Sequence, residues 1–501
     1  MRCHIDAQTL AKRHHAAPSF RPMTTLTSLL QCLQEGEAAL ERGDYAQAAT
    51  LFAKAWDAAP DDPDVAIMLA NVHRLVGDAV LARTVLLDAF QRANTGGANR
   101  LSAQKRYALG TGLLEAGAPA QAADCFAAVV DALPRDPAAL AALASAKRAL
   151  GIPEEAWPLV RRALGLAPRH PAYLLTAAQV RHDLGDRRGA LQWLDAHDAV
   201  RPDHAPSRLQ RAYTTLLGGA SIEGWATFES RPLPVPASSA REWHGEPLSG
   251  QSILVTAEQG VGDQFQFWRF LFLLKECAPS RLVVECHADA VALLAYNGFE
   301  ARARGSSEAT DWHVPLLSLP HRLQLGNEVL GSNVPYVRAP VDVAVPPLPH
   351  REPGVRQLGL VWAGNPAFAA RVTRDLDLRL LPELLATPRI SWVSLQQGMS
   401  AEELPKGLHA LPPLSGWSAT ATLLAQLDGL VTTDTGIAHL AGAMGIRSWV
   451  MLQYVPDWRW GLVGERTPWY PSITLVRSDG PRDWTSAVRK LRRFVQAEVA
   501  G

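Results

Sequence analysis

The chain of 501 residues is longer than one hydrophobic core usually supports, so its length predicts several domains. Hydrophobic residues make up 48% of the chain and charged residues 20%, which is typical of folded proteins and excludes wholesale disorder. The 49 Lys and Arg residues balance the 49 Asp and Glu residues, and this zero net charge argues against a nucleic-acid-binding protein.

The N-terminal residues 1–24 contain Arg, His and Lys but no apolar core, so we expect a disordered extension rather than a signal peptide. No run of about 18 apolar residues occurs, and no transmembrane segment is expected. The five cysteines include no Cys-x-x-Cys pair, which argues against disulfides and thiolate metal sites. These features favour a cytoplasmic protein.

Six glycines mark an internal repeat in the first half of the chain. They are Gly43, Gly77, Gly117, Gly151, Gly185 and Gly219. The interval is 34 residues throughout, except for one interval of 40 that contains the loop-like run Asn94–Asn99. A small residue follows each glycine after five positions, a bulky apolar residue after nine, and a proline after seventeen in most repeats.

This spacing predicts pairs of helices joined by a turn. Glycine ends the first helix in a left-handed cap, and the small and bulky residues let the second helix pack closely. Proline starts the next unit because it cannot continue a helix. A 34-residue unit of this kind resembles the tetratricopeptide repeat (TPR). We therefore expect an all-α TPR solenoid of five to six repeats over residues 25–232, with a groove for a protein partner.

The pattern changes after a proline-rich joint, Arg231–Pro236. Short apolar runs then alternate with helical patterns, which predicts parallel sheets of βαβ units. The predicted strands are residues 252–256, 281–286, 357–362, 390–395, 429–433 and 448–452. A second proline-rich stretch, Pro340–Pro353, separates lobes at residues 240–345 and 354–501. Two such lobes form a cleft at the C-terminal ends of their strands, where ligands bind.

The first candidate site follows the strand at 252–256. Gly260 and Gly262 permit a tight strand-to-helix turn with exposed backbone amides. Asp263 then lies near the start of the helix, where its carboxylate could deprotonate an acceptor hydroxyl. The alternative is that Asp263 is an N-cap that satisfies free amides.

The second candidate site follows the strand at 429–433 and opens a helix rich in small residues. Thr435 and Gly436 place hydroxyl and amide donors at the positive end of that helix, where a diphosphate would sit. His439 lies about one turn into the helix, on the side that faces back toward its start. An ordinary capped turn is the alternative.

Two further candidates also follow strands. Trp362–Pro366 is a sharp turn, and the pair Arg371 and Arg374 beyond it could either meet phosphate oxygens or be solvated. Trp458 and Trp460 could cover a base or a sugar ring, and core packing is the alternative.

In this order, the segments resemble the glycosyltransferase family 9 module, the ADP-heptose:lipopolysaccharide heptosyltransferase-like group, and especially its TPR-fused bacterial members. The resemblance is carried by Ala257–Asp263, Gly359–Pro366, Ser394–Gln396, Asp434–Gly442, Asp457–Trp460 and Trp469–Pro471. It implies an α/β GT-B fold of two Rossmann-like lobes and inverting sugar transfer without a metal or a cofactor. A protein or glycan acceptor would bind the lobe at 240–345, and a nucleotide-sugar donor the lobe at 354–501.

The resemblance also implies roles for individual residues. Asp263 is the expected catalytic base. The expected donor contacts are Asn365, Arg374, Asp434, Thr435, Gly436 and His439. The Asp375-Leu376-Asp377 run spells the Asp-x-Asp of metal-dependent glycosyltransferases, but it is expected to open a leucine-rich helix, and no metal site is predicted.

One stretch departs from the family. After Gly-Asn-Pro the fused members usually carry His-x-Asn-Asp-Arg-x-Arg-Ser, whereas residues 368–375 here keep only Arg374 in type. This departure leaves a catalytically inactive TPR/GT-B scaffold or binding protein as one alternative. A protein O-GlcNAc transferase-like enzyme is another, although the chain lacks the Asn-Gly-x-Thr-Thr run of that family.

Overall fold

A computed structural model describes residues 23–95, 101–233, 239–306, 308–331, 333–364, 374–399 and 401–500. The chain divides into two compact units, residues 1–180 and 181–501. The predicted N-terminal extension lies outside the described residues except for its last two positions, which begin the first helix. Among the described residues, no helix is both long and apolar enough to cross a membrane.

The first unit consists of helices that pack in sequence order. Its helices are α1 Met23–Glu41, α2 Tyr45–Ala58, α3 Pro63–Leu75, α4 Ala79–Thr95, α5 Ala103–Glu115, α6 Pro119–Ala132, α7 Pro137–Ala149, α8 Pro153–Leu166 and α9 Pro171–Asp183, the last of which ends in the second unit. The predicted bulky positions fill the core, since Phe52, Leu86 and Phe126 are at most 1% exposed.

The backbone at the repeat glycines follows the prediction. All six glycines have φ between 71° and 123°, the left-handed region that other residues rarely adopt. The proline prediction needs a correction. Pro60, at the predicted position, lies in the turn between two repeats, and Pro63 is the first residue of the next helix. A second proline at the first helical turn is favoured because its missing N–H would be unsatisfied there anyway.

The second unit begins with three helices and continues into two sheets. The helices are α10 Arg187–Asp198, α11 Ala205–Leu216 and α12 Ile222–Phe228. The division of the chain therefore falls before these helices and not at the proline-rich joint.

Both sheets are parallel. The first contains β1 Arg241–Glu242, β2 Ser252–Thr256, β3 Arg281–Cys286, β4 Glu300–Ala303 and β5 Trp312–Pro315 in the order β1-β5-β2-β3-β4, with helices α13 Val261–Phe267, α14 Arg269–Glu276, α15 Val291–Tyr296 and α16 Leu319–Arg322. The second contains β6 Arg356–Val361, β7 Ile390–Ser394, β8 Leu408–His409, β9 Gly429–Thr433, β10 Ser448–Leu452 and β11 Ile473–Arg477 in the order β11-β10-β9-β6-β7-β8, with helices α17 Leu381–Leu385, α18 Gly416–Leu424, α19 Gly436–Ala443 and α20 Trp484–Ala500.

All six predicted strands are present, with ends that differ by at most one residue, and the prediction of parallel sheets is confirmed. β9 and β10 are buried along their whole length, which explains why they read as continuous apolar runs. Because β6, β9 and β10 are neighbours, the turns that follow them lie at one edge of the second sheet.

Candidate functional site

Two strand-to-helix turns, one from each sheet, meet in the second unit. The turn after β2 leads into α13, and the turn after β9 leads into α19. A Cβ atom at position 262 would lie 2.8 Å from the Cα of Gly436 and 3.2 Å from His439 Cδ2. The structure thus brings together the first two candidate sites of the sequence analysis, and a glycine at position 262 allows their close approach.

Asp263 is the third residue of α13 and has two partners. Its Oδ2 accepts a hydrogen bond of 2.9 Å from the amide of Gly260, the N-cap residue of α13. Its Oδ1 lies 2.5 Å from Arg459 Nη2. The alternative that Asp263 is an N-cap needs a correction, because Gly260 is the N-cap and Asp263 accepts its amide from inside the helix.

Arg459 connects the turn of the first sheet to the loop after β10. Its Nη1 donates to Asp457 Oδ1 at 2.8 Å, and its Nε donates to Gln266 Oε1 at 2.8 Å. Its guanidinium lies 4.3 Å from the ring centre of Trp458. Burial lowers the pKa of Arg459, but the carboxylates of Asp263 and Asp457 outweigh it and hold that pKa above its ordinary value. The side chain is therefore a buried, permanently charged guanidinium.

A further carboxylate, Asp434, belongs to the same charged cluster as Asp263 and Asp457. Asp434 directly follows β9 and accepts a hydrogen bond of 3.0 Å from Arg374 Nη1. Burial raises the pKa of Asp434, and the charge of Arg374 opposes that change. Asp457 is half-buried, with 29% of its side chain exposed. Arg459 and Arg374 outweigh its desolvation and lower its pKa, so this carboxylate stays ionised at neutral pH.

His439 is buried beneath the start of α19. Its Nδ1 lies 3.0 Å from the hydroxyl of Tyr470, and its ring stacks on Trp460 with centroids 5.1 Å apart. Burial, reinforced by the charge of Arg459, lowers the pKa of His439 to about 3. The imidazole is therefore neutral at physiological pH and can donate or accept a hydrogen bond, but it brings no positive charge.

The start of α19 has no side-chain cap. Thr435 is the N-cap residue, yet its hydroxyl makes no cap hydrogen bond and lies 2.8 Å from Thr432 Oγ1. A Cβ atom at position 364 would lie 3.9 Å from Thr435 Cγ2, so the turn after β6 borders the same helix start. Asn365, the next predicted donor contact, and Arg371 lie outside the described residues.

Trp458 and Trp460 are both buried, with exposures of 5% and 2%. Trp458 packs edge-on against Trp225 at 5.6 Å, and Trp460 stacks on His439. Both rings thus take part in packing, and a role in covering a base or sugar stays a prediction.

The Asp-x-Asp run has a structural role. Asp375 Oδ1 accepts from the amide of Gly364 at 3.0 Å, and Asp377 caps a short 3-10 turn by accepting from the amide of Arg379. Across the part of the chain that the structure describes, no group of three or more His, Cys, Asp or Glu is placed to hold a metal ion.

A buried ion pair supports the turn after β2. Arg231 donates to both carboxylate oxygens of Glu258, at 2.8 and 2.6 Å, and both side chains are 2% exposed. Glu258 also accepts from the amide of Leu317. Sequence reasoning missed this pair and also missed Arg459, although a charged residue between two tryptophans after a strand was a usable signal.

Comparison with known proteins concerns mainly the helical half. Residues 39–104 match the model of the tetratricopeptide repeat. The N-terminal region contains tetratricopeptide repeats. The solved structures that resemble this chain include MamA protein, with 16% identity over 34% of this chain and 91% of that one and a TM-score of 0.28. Pseudomonas aeruginosa pilF is 20% identical over 41% of this chain and 90% of that one, with a TM-score of 0.29.

A curated relative covers more of the chain. Protein FlbA of Caulobacter vibrioides is 28% identical over an alignment of 357 residues, which covers 62% of this chain and 59% of that protein. The chain thus spans about three fifths of the length of this relative. The match extends beyond the repeats, because the repeat region of this chain is shorter than 357 residues.

Proposed function

We propose that the second unit transfers a sugar from a nucleotide-diphosphate sugar to a hydroxyl acceptor. The meeting of the two turns carries this proposal, because it places a carboxylate, Asp263, beside the uncapped helix start at Thr435 and Gly436. Two parallel sheets with these turns at strand ends support a GT-B arrangement. The resemblance to glycosyltransferase family 9 supports the same activity.

The chemistry assigned to these groups is an inverting displacement. The acceptor oxygen attacks the anomeric carbon from the face opposite the diphosphate, and its proton passes to the Asp263 carboxylate. The bond between the anomeric carbon and the diphosphate oxygen breaks, and its electron pair leaves with the diphosphate. Backbone amides and the dipole of α19 stabilise that charge. By the resemblance, no metal takes part.

The donor side of the site includes neutral and charged groups. The neutral imidazole of His439 can donate a hydrogen bond to the sugar donor, but it adds no positive charge. Arg374, held by Asp434, supplies a cation whose planar donors fit phosphate oxygens. Asn365 completes the donor contacts in this proposal.

In this proposal, the repeats bind the partner protein. Stacked TPR units present a groove that suits a peptide or a folded protein. We assign the solenoid to binding the acceptor protein, or a partner that delivers a glycan acceptor.

Nucleotide binding tests this proposal first. Isothermal titration of the full chain with ADP, GDP, UDP and CDP should give a dissociation constant for at least one of them. Absence of binding to all four by a folded protein would contradict the proposal.

Transfer activity is the second test. Asp263→Asn should lower kcat on the order of a hundredfold to ten-thousandfold, because it removes the proton acceptor. Asp342→Asn, an exposed carboxylate in the proline-rich stretch, is the matched control and should leave kcat unchanged. Equal rates for the two variants would remove Asp263 from the mechanism.

A catalytically inactive binding protein is the second candidate. The ion pair between Arg459 and Asp263 favours it, because that contact occupies the carboxylate that a transferase would need to direct at its acceptor. This candidate predicts that a nucleotide binds while no sugar donor is turned over. The same titration and transfer assays decide between the two.

A further inference from the structure

Arg459 is the point at which the charges of the site converge. Two of its nitrogens donate hydrogen bonds, Nε to Gln266 and Nη1 to Asp457. The third, Nη2, lies 2.5 Å from Asp263 Oδ1 as an ion pair but makes no hydrogen bond within the described part of the chain. Because the side chain is only 8% exposed, its charge depends on these carboxylates rather than on water.

This arrangement restrains Asp263. One oxygen of its carboxylate accepts from the Gly260 amide, and the other faces Arg459. Removal of one member of a buried ion pair is strongly unfavourable. The Asp263 carboxylate is therefore engaged as a counter-ion of Arg459.

A diphosphate would offer Arg459 a better partner. The close contact of Gly262 with Gly436 puts Asp263 next to the start of α19, where the proposed function places the diphosphate. Guanidinium groups bind phosphate oxygens in a bidentate manner, and a diphosphate carries more charge than one carboxylate. Asp457 would anchor Arg459 during the exchange, since the two side chains belong to one short segment.

Resting on that proposed function, we propose that Arg459 is a positioning residue that senses the donor. It pairs with Asp263 in this structure, and a bound nucleotide sugar would draw it to the diphosphate. The carboxylate of Asp263 is thereby released to accept the proton of the acceptor hydroxyl. Donor binding consequently precedes activation of the acceptor.

The proposal has an unusual consequence for affinity. Asp263 and the diphosphate compete for Arg459, so Asp263→Asn should tighten nucleoside diphosphate binding, on the order of tenfold. Arg459→Gln should weaken binding by a similar factor, and in that background Asp263→Asn should give no gain. Titration of the full chain with ADP, GDP, UDP and CDP measures all four proteins.

A matched control separates competition from a general charge effect. Asp457→Asn also removes one carboxylate from the same guanidinium, but Asp457 anchors Arg459 and does not compete with the ligand. Only Asp263→Asn should therefore bind more tightly. This comparison stands even if Arg459→Gln does not fold, and circular dichroism checks the fold of each variant.

The outcomes distinguish this inference from the proposed function. If a nucleotide binds but Asp263→Asn gives no gain, or Asp457→Asn gives the same gain, Arg459 is not a donor sensor and the transferase proposal stands. A gain that persists with Arg459→Gln has the same meaning. If no nucleoside diphosphate binds any folded variant, the transferase proposal fails and the sensor with it.

Discussion

At Gly262 a single hydrogen in place of a methyl group sets how closely two helices approach. The Cα of Gly436 would lie 2.8 Å from a Cβ at this position, a separation that Cβ atoms do not adopt, and the opposing atom is backbone. Neither residue can move away by a change of rotamer. The site therefore depends on the shape of the backbone as well as on its charged groups.

Gly262→Ala should push α13 away from α19. Overpacking of this kind costs on the order of 1–3 kcal/mol, so the midpoint of thermal unfolding should fall by several degrees. Gly364→Ala is the matched control, because its nearest neighbour, Thr435 Cγ2, would lie at an ordinary 3.9 Å. Differential scanning calorimetry measures both variants. Equal midpoints would mean that the close approach does not exist in solution.

The burial of His439 predicts a pH dependence. Its pKa of about 3 in the folded chain lies below the ordinary value of 6.5, so the unfolded chain binds the extra proton as the pH falls below 6.5. This group therefore lowers the free energy of unfolding between pH 6.5 and 3, by up to about 1.4 kcal/mol per pH unit. His439→Gln should flatten that slope in urea unfolding followed from pH 4 to 7.

His287→Gln provides the comparison for that slope. The His287 side chain is 53% exposed, so its removal should leave the pH dependence as in the wild type. An unchanged slope in His439→Gln would mean that this imidazole titrates normally in the folded protein.

At the scale of elements, the end of α12 holds the turn after β2. Arg231 follows that helix, and its bidentate pair with Glu258 is buried from water on both sides. Arg231 also donates to Ser318, so one guanidinium connects three segments of the second unit. The helix end and the sheet turn should consequently unfold together.

Arg231→Met should be strongly destabilising, since it leaves Glu258 as an uncompensated buried charge. The expected loss is about 3–5 kcal/mol. Arg492→Met breaks an ion pair with Glu383 whose side chains are 31% and 42% exposed, and it should cost at most about 1 kcal/mol. Denaturant unfolding followed by tryptophan fluorescence compares the two. Similar losses would contradict the buried pair.

The strands show which elements the sequence can predict. β9 and β10 were predictable because burial on both faces requires continuous apolar runs. β4, with the sequence Glu-Ala-Arg-Ala, lies at the sheet edge and carries charges, so its pattern does not differ from a loop. β5 contains His313 and ends in a proline, and its place between β1 and β2 follows from long-range pairing alone. β11 is an apolar run, Ile473–Arg477, that was absent from the predicted strands.

At the scale of the whole molecule, the compact units do not follow the change in sequence pattern. Helices α10 to α12 carry the repeat periodicity but belong to the second unit. Trp225 of α12 packs against Trp458 at 5.6 Å and against Phe267 at 5.9 Å, so it shares the core of the α/β part. Periodicity therefore records how helices pair, and it does not record where a core ends.

Two fragments test this division. Residues 181–501 should stay soluble and unfold cooperatively, because they keep Trp225 and the partner of Glu258. Residues 233–501, which begin at the change of pattern, should aggregate or unfold at a much lower temperature, since they expose Trp458 and leave Glu258 unpaired. Thermal unfolding and size-exclusion chromatography compare the two. Equal stability would restore the boundary at the proline-rich joint.

The sequence by itself determined the features that depend on neighbouring residues: the repeat glycines with their left-handed caps, the buried parallel strands, and the strand-to-helix turns at Gly260–Asp263 and Asp434–Gly436. Such features follow from local backbone geometry and from hydrophobic periodicity. Only the tertiary structure decided that these turns touch, that Arg459 pairs with Asp263, and that Arg231 neutralises Glu258. Those contacts join residues as far as 196 positions apart, as between Asp263 and Arg459, and no local pattern encodes which buried charge will find which partner.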